Sequence, residues 1–235
     1  MSEDRQIIEI EIAAPRDVVW RALRDPAEVR NWFGWEAATL DEEIKMIFVD
    51  GAEADEARGI IQFGEWEGVS DRFELSERGG KTVLRVVRHG TVPAEGWGVH
   101  YDDVVEGWIT FAQQLRLYLE THRGDERRTL WFSSKTGPGT IEAVGLIGVG
   151  ETGSRYEREL SPGDRVSGEV WHWSRHQLGV QVQQWSGGLI VVADRTGGGG
   201  TALLTVYGLS EAEFEALATR WRTWWEAAYP QKSGE

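Results

Sequence analysis

Three large aromatic residues, Trp32, Phe33 and Trp35, lie within four positions of one another in the segment VRNWFGWEAA. Rings of this size are usually core residues. At the end of a helix, however, such a group can also line the entrance of a cavity, and an aromatic-lined cavity binds small apolar or aromatic molecules. The segment therefore predicts either a ligand site or ordinary packing, and both interpretations stay open at the level of the sequence.

Polar residues that could perform acid–base or metal chemistry are few. His172 and His176 are four residues apart, but the surrounding EVWHWSRHQLGV alternates as a strand does and brings no carboxylate to the face that the two histidines could share. The segment HYDD, residues 100–103, either complements a helix N-terminus or supplies an acid–base group at a pocket rim, and the first interpretation is favoured. We therefore expect no metal ion and no cofactor, and the sequence names no catalytic residue.

Two further segments resemble ligand-binding loops but lack the residues that such loops need. DRTGGGGT, residues 194–201, has no lysine and no following helix, so it predicts a hairpin turn and not a phosphate loop. DGAEADEA, residues 50–57, lacks the regular spacing of calcium ligands and is interpreted as a solvated acidic loop.

The composition indicates a globular protein of one large or two small domains. The 235 residues are 40% hydrophobic and 27% charged, and 13 of them are tryptophan. Residues 1–124 carry 14 basic and 25 acidic residues, a net charge of −11, and the remainder carries 11 and 14, a net charge of −3. This acidic balance argues against nucleic acid or an anionic membrane as a partner.

The chain has no cysteine, which excludes disulfides and thiolate chemistry. No run of residues approaches the ~18 apolar residues of a membrane span. The charged and then alternating start, MSEDRQIIEIEI, is typical of neither a signal peptide nor a transit peptide. We therefore expect the protein in a reducing cytoplasm.

The first half of the sequence predicts a strand, two short helices, several antiparallel strands and one long helix. Ile8, Ile10 and Ile12 alternate with glutamates as in a half-buried strand. The pattern places a short helix after Pro15 and a second one that Asp25 caps. Residues 43–63 are predicted as strand, acidic loop and strand, residues 69–89 as a hairpin turning at Gly79-Gly80, residues 89–103 as a loop, and residues 104–121 as an amphipathic helix.

The second half repeats this ending in shorter form. Residues 129–207 contain one short helical pattern and several alternating segments separated by glycine-rich turns. Ser210 and Glu213 then form a capping-box pattern ahead of a closing helix rich in aromatic residues. We predict two domains, residues 1–124 and residues 125–235, of which the second is a reduced copy of the first.

The segments IEIAAPRDVVWRALRDPAEVRNWFGW and EGWITFAQQLRLYLE resemble the START and birch-pollen-allergen (SRPBCC) superfamily. Within it they are similar to homologues of the activator of the heat-shock protein ninety ATPase. Residues 129–230 resemble a divergent or truncated second copy, as in bacterial tandem members. The resemblance implies an α+β helix-grip fold in which a curved antiparallel sheet wraps a long C-terminal helix, followed by a second, smaller helix-grip-like unit.

The resemblance also implies a cavity between the sheet and the long helix. We expect a small apolar or aromatic molecule to bind there against nine side chains: Trp32, Phe33, Trp35, Phe63, Trp66, Phe73, Trp108, Phe111 and Leu115.

Two alternative functions stay open at this stage. The family name implies a chaperone-associated module, although the chain begins directly at the helix-grip strand, without the separate N-terminal domain of the eukaryotic co-chaperones. A polyketide cyclase or aromatase would need polar groups inside the pocket, for which the sequence offers Tyr118, Arg85 and the segment HYDD. The state of the pocket distinguishes the three functions. An open apolar pocket supports ligand binding, a filled pocket supports the chaperone module, and a wet pocket with polar groups supports the cyclase.

Overall fold

The computed structural model describes residues 4–66, 68–90 and 98–230, and of residues 98–103 it describes the backbone. The chain divides into two compact units, Met1–Gly124 and Asp125–Glu235. Each unit has its own antiparallel sheet and its own hydrophobic core. The fold is therefore α+β, as the sequence predicts.

The first unit contains a five-stranded sheet in the order β1-β5-β4-β3-β2, and all neighbouring strands are antiparallel. The two longest strands form a hairpin that turns at two glycines with positive φ, Gly79 and Gly80. The strands are β1 (Arg5–Ile12), β2 (Ala52–Asp55), β3 (Ile60–Phe63), β4 (Val69–Arg78) and β5 (Lys81–Gly90).

The long helix of the first unit packs on one face of this sheet, which we call the inner face. Ala112, Leu115 and Leu119 of the helix share a core cluster with Ile10 of β1 and Leu84 of β5. This confirms the predicted grip of the sheet on the helix. The helices of the unit are α1 (Arg16–Arg24), α2 (Pro26–Val29), α3 (Leu40–Ile44) and α4 (Gly98–Thr121).

The prediction of a strand at residues 43–49 is wrong. The chain there completes α3 and continues as a π-helical segment, Lys45–Asp50. Leu40, Ile44 and Phe48 recur every four residues and are all buried, which is the spacing of a helix face. The acidic segment that follows is not a loop either, since its middle forms the edge strand β2, Ala52–Asp55.

The predicted start of the long helix at residue 104 is also too late. The helix begins at Gly98, so the segment HYDD lies inside its first turns and not before it. Residues 91–97 of the predicted loop lie outside the described residues. The other end is as predicted, because the helix ends at Thr121 and Gly124 follows with φ +90°.

The second unit contains a six-stranded sheet in the order β6-β11-β10-β9-β8-β7. The closing helix α6 packs Phe214, Leu217, Trp221 and Trp225 into the core of this sheet. Its predicted capping box is confirmed, since Ser210 and Glu213 bond each other's backbone N–H groups. The elements are β6 (Arg127–Ser134), α5 (Thr140–Val144), β7 (Arg155–Glu159), β8 (Arg165–Trp173), β9 (Gln177–Val182), β10 (Gly188–Asp194), β11 (Gly200–Tyr207) and α6 (Glu211–Ala228).

Two details of the second unit refine the sequence analysis. The short strand β7, RYERE, was not predicted, because four of its five residues are charged and it lies at the sheet edge. The segment DRTGGGGT does form the turn between two strands, β10 and β11. Across the described part of the chain, no helix has both the length and the apolar character needed to cross a membrane.

Trp32 provides a test of the core of the first unit. Its side chain is 1% exposed, and its indole N–H donates to the carbonyl oxygen of Ala22 at 2.8 Å. We expect Trp32→Ala to lower the free energy of unfolding by about 3–5 kcal/mol. The control is Trp66→Ala, because Trp66 is 56% exposed and its replacement should change stability by about 0.5 kcal/mol or less. Urea denaturation measures both; equal effects would show that the core is assigned wrongly.

Candidate functional site

The aromatic residues of the first unit form one connected cluster around Trp108 of α4. The Trp108 ring centroid lies 4.9 Å from that of Phe73 on β4 and 5.5 Å from that of Phe63 on β3. It also lies 6.4–6.5 Å from the rings of Phe33, Phe48 and Phe111. Trp108 and Phe111 are themselves half-buried, so the cluster reaches the surface along the helix.

The three neighbouring aromatic residues of the segment NWFGW have different environments. Trp32 is buried in the core, and Phe33 packs 4.8 Å from Phe111 and 4.9 Å from Phe48, measured between ring centroids. Trp35 is half-exposed. Gly34 separates them with φ +59°, a conformation that lets the backbone turn between the rings. Only Trp35 of the three therefore has the partial exposure that a rim residue needs.

The remaining predicted ligand-binding residues are divided between this cluster and the surface. Phe63, Phe73 and Leu115 are buried in the same core as Phe33. Trp66, in contrast, is exposed at the turn between β3 and β4. Phe48, which contacts four rings of the cluster, was not predicted as part of the site, because its segment was interpreted as a strand.

A buried ion pair lies beside the rings. Asp71 of β4 and Arg88 of β5 are direct cross-strand partners. Arg88 donates from Nε to Asp71 Oδ1 and from Nη2 to Asp71 Oδ2, each at 2.7 Å. The indole N–H of Trp108 donates to Asp71 Oδ2 at 2.6 Å. The Arg88 side chain is 3% exposed and that of Asp71 12%. We call these three residues the Trp108 site.

The alternation of the strands explains why two charges lie on the inner face. Phe73 and Leu75 of β4 point into the core, so Asp71, two residues earlier, has the same orientation. On β5 the same holds for Leu84, Val86 and then Arg88. The ionic pair therefore continues the Phe73–Val86 pair by one step along the hairpin.

Burying such a pair adds little to stability. Removing two charges from water costs several kcal/mol per ion, and the attraction between them offsets this only with good geometry and further hydrogen bonds. Here the pairing is bidentate and a third donor comes from Trp108. An ion pair beside an aromatic cluster is a candidate functional group, because a few fixed polar groups are what orient a ligand in an apolar site.

Arg85, which the sequence suggested for the pocket, lies on the opposite face of the sheet. It pairs with Glu9 at 2.9 Å and with Glu74 at 3.5 Å. The hydrogen bond from Arg85 is the main reason that the pKa of Glu9 lies below its ordinary value. Arg85 therefore has a partner on each neighbouring strand of the outer face, and it is not a site residue.

Tyr118, the second polar residue suggested by the sequence, joins two helices. Its hydroxyl donates to Glu28 Oε2 at 2.7 Å. Burial, and next the hydrogen bond to Glu28, raise the pKa of Tyr118 to about 12. Tyr118 lies ten residues from Trp108, which is about 15 Å along the helix. It therefore stays a neutral donor that holds α4 to α2. The side chains of the HYDD segment lie outside the described residues.

The two histidines of the second unit lie in different local structures. His172 is buried in β8, and its Nε2 lies 2.9 Å from Oε1 of Gln177. His176 lies in the turn between β8 and β9. Within the described residues no group of three or more histidine, aspartate or glutamate side chains could hold a metal ion.

The closing helix of the second unit repeats the contact that Trp108 makes. Trp221 of α6 donates its indole N–H to Asp164 Oδ2 at 2.9 Å, and Arg220 donates to Asp164 Oδ1 at 2.5 Å. Asp164 lies in the turn before β8 and not on the sheet face. In both units a tryptophan of the long helix is therefore bonded to an aspartate that also binds an arginine.

Sequence reasoning missed Asp71 and Arg88, although a signal for them was present. In VSDRFEL and TVLRVVRH, Asp71 and Arg88 occupy positions whose parity is that of the buried face. A hairpin turning at Gly79-Gly80 also fixes the register that pairs them. The candidates considered from the sequence were the aromatic and histidine clusters, Tyr118, Arg85 and the segment HYDD, and neither Asp71 nor Arg88 was among them.

Comparison with protein-family models gives no match, and comparison with curated proteins gives none. Among solved structures, the chain is similar to a protein of the dynemicin biosynthetic locus, with 20% identity over 96% of each chain and a TM-score of 0.36. It is also similar to StfQ, a di-domain ARO/CYC from the steffimycin biosynthetic pathway, with 11% identity over 95% of this chain and 94% of that one and a TM-score of 0.39. A Staphylococcus saprophyticus protein has 20% identity over 50% of this chain and 92% of its own, with a TM-score of 0.39. Similarities this distant carry no argument about function.

A double-mutant cycle tests the contact between Trp108 and Asp71. Trp108→Phe keeps an aromatic ring but removes the N–H donor, and Asp71→Asn weakens the acceptor. Because a buried carboxylate that loses a donor is costly, we expect a coupling energy of about 1–2 kcal/mol between the two changes. Urea denaturation of the parent, both single variants and the double variant measures it. Strictly additive effects would mean that the hydrogen bond contributes nothing.

Proposed function

We propose that the first unit binds a small aromatic molecule at the Trp108 site. The observation that carries this proposal is the position of the Trp108 ring, which contacts five phenylalanine rings and still reaches the surface. A flat ligand stacks on such a ring or meets its edge, and aromatic pairs of this kind contribute about 0.5–1.5 kcal/mol beyond the area that they bury.

The surroundings of Trp108 support the same proposal. Phe111 is one helical turn further along α4, and it is also half-buried. Trp35 follows Phe33, a ring of the cluster, by two residues and is half-exposed. Three partly exposed rings next to a buried aromatic cluster provide an apolar surface, and the Asp71–Arg88 pair provides the fixed polar group that such sites use to orient a ligand.

Calorimetric titration with naphthalene derivatives tests the proposal. We expect micromolar affinity, about −8 kcal/mol, together with quenching of tryptophan fluorescence. Trp35→Ala should weaken binding about tenfold and change the free energy of unfolding little, because Trp35 is half-exposed. The matched control is Trp173→Ala, which removes an exposed tryptophan from the second unit and should leave the affinity unchanged. Absence of binding across the series, with Trp35→Ala strongly destabilising, would identify the cluster as plain core.

A second candidate function is cyclisation of a polyketide chain. The sequence leaves it open as an alternative that needs polar groups inside the pocket. In this chain the observation that favours it is Asp71, a carboxylate held by Arg88 beside aromatic rings. Such a group orients a reacting enol or hydroxyl by accepting its proton in a hydrogen bond.

Incubation with a short poly-β-ketone thioester tests the cyclase. Formation of an aromatic product faster than in buffer, with loss of that rate in Asp71→Asn, supports this candidate. Rates equal to those in buffer, for a protein that binds naphthalene derivatives, leave binding alone as the function.

A further inference from the structure

We propose that the Trp108 site selects aromatic molecules that carry a hydroxyl group, and that the carboxylate of Asp71 accepts a hydrogen bond from this hydroxyl. This inference rests on the proposed binding function and names the class of ligand. It follows from which atoms of the three residues are already engaged, which of them is the more accessible, and which charge the surroundings carry.

The hydrogen bonds within the site converge on one carboxylate. Asp71 Oδ1 accepts from Nε of Arg88, and Oδ2 accepts from Nη2 of Arg88 and from Nε1 of Trp108, at 2.6–2.7 Å. A carboxylate offers about four acceptor positions, so these bonds use about three of them. The position that remains is an acceptor on Oδ1. The ligand group that complements it is a hydrogen-bond donor.

The exposed fractions of the two charged side chains also favour a hydrogen-bond donor on the ligand. The Asp71 side chain is 12% exposed, whereas that of Arg88 is 3% exposed. A molecule that reaches the pair therefore meets the carboxylate before the guanidinium. The guanidinium Nε and Nη2 and the indole N–H of Trp108 are directed at Asp71. The third guanidinium nitrogen, Nη1, is buried, so a ligand acceptor does not reach it from the surface.

The charges around the site favour a neutral hydrogen-bond donor over a charged group on the ligand. A ligand carboxylate would face the carboxylate of Asp71 in a unit whose residues 1–124 already carry 25 acidic and 14 basic side chains, and like charges at short range disfavour binding. A ligand ammonium would be drawn to Asp71 but would lie next to the positive charge of Arg88, and it would lose its hydration in an aromatic surrounding. A phenolic hydroxyl donates without either cost.

Four ligands of similar size distinguish these possibilities by calorimetry on the unmodified protein. They are naphthalene, 2-methoxynaphthalene, 2-naphthol and 2-naphthoate. We expect 2-naphthol to bind about tenfold more tightly than naphthalene and 2-methoxynaphthalene, because a site with an unused buried acceptor discriminates against ligands that lack the donor. The naphthoate should bind most weakly.

The Asp71→Asn variant provides the second measurement, once circular dichroism shows that it is folded. Its preference for 2-naphthol over 2-methoxynaphthalene should fall to about twofold or less, whereas Trp173→Ala should keep the parent preference. If Asp71→Asn does not fold, the four-ligand series on the parent protein decides alone.

The experiment distinguishes failure of the hydroxyl preference from failure of the proposed binding function. Equal affinities for 2-naphthol and 2-methoxynaphthalene would overturn the hydroxyl preference and leave the proposed binding function intact. Tightest binding of 2-naphthoate would overturn it in favour of recognition by Arg88. Absence of binding by all four ligands would overturn the proposed function, and the hydroxyl preference with it.

Discussion

A hydrogen bond from the indole N–H of Trp108 to the carboxylate of Asp71 joins the long helix of the first unit to the inner face of its sheet. Phe111 of the same helix packs against the Trp108 ring, and Leu115 lies in the core that the helix and the sheet share. Apolar contacts alone tolerate sliding and rotation of a helix, whereas a bond to a buried charge has one geometry. The equivalent bond from Trp221 to Asp164 shows that the second unit fixes its closing helix by the same chemistry.

The bond between Trp108 and Asp71 requires a buried carboxylate, which is costly in free energy. Asp71 needs Arg88 opposite it, because an unpaired buried carboxylate would be strongly destabilising. The two together place a polar, net-neutral group among phenylalanine rings, which is the combination that gives an apolar site its selectivity. In the second unit the aspartate lies in a turn and its tryptophan packs against Phe132, so there the same bond serves packing of the helix. The two units use the same residue types for this bond. They differ because only the aspartate of the first unit lies on the inner face of its sheet.

Much of the fold could be predicted from the sequence, and the failures have physical reasons. The capping box at Ser210, the turn at Gly79-Gly80 and the cap at Asp25 are local signals, and the structure confirms them. The segment around Phe48 was predicted wrongly because its β-branched and aromatic residues favour a strand, while burial of every fourth residue keeps it helical. Asp71 and Arg88 were missed because their importance depends on cross-strand register and on Trp108, which follows Asp71 by 37 residues in the chain. The chaperone partner and the cytoplasmic location stay predictions.

We propose that an aromatic ligand reaches Asp71 beside the Trp108 ring. A crystal structure of the protein with 2-naphthol would locate the ligand without reference to affinity or to variants. We expect the naphthalene rings in contact with Trp108 and the hydroxyl oxygen within hydrogen-bond distance, about 2.5–3.0 Å, of a carboxylate oxygen of Asp71. A ligand bound elsewhere, with the aromatic cluster closed around Trp108, would contradict it.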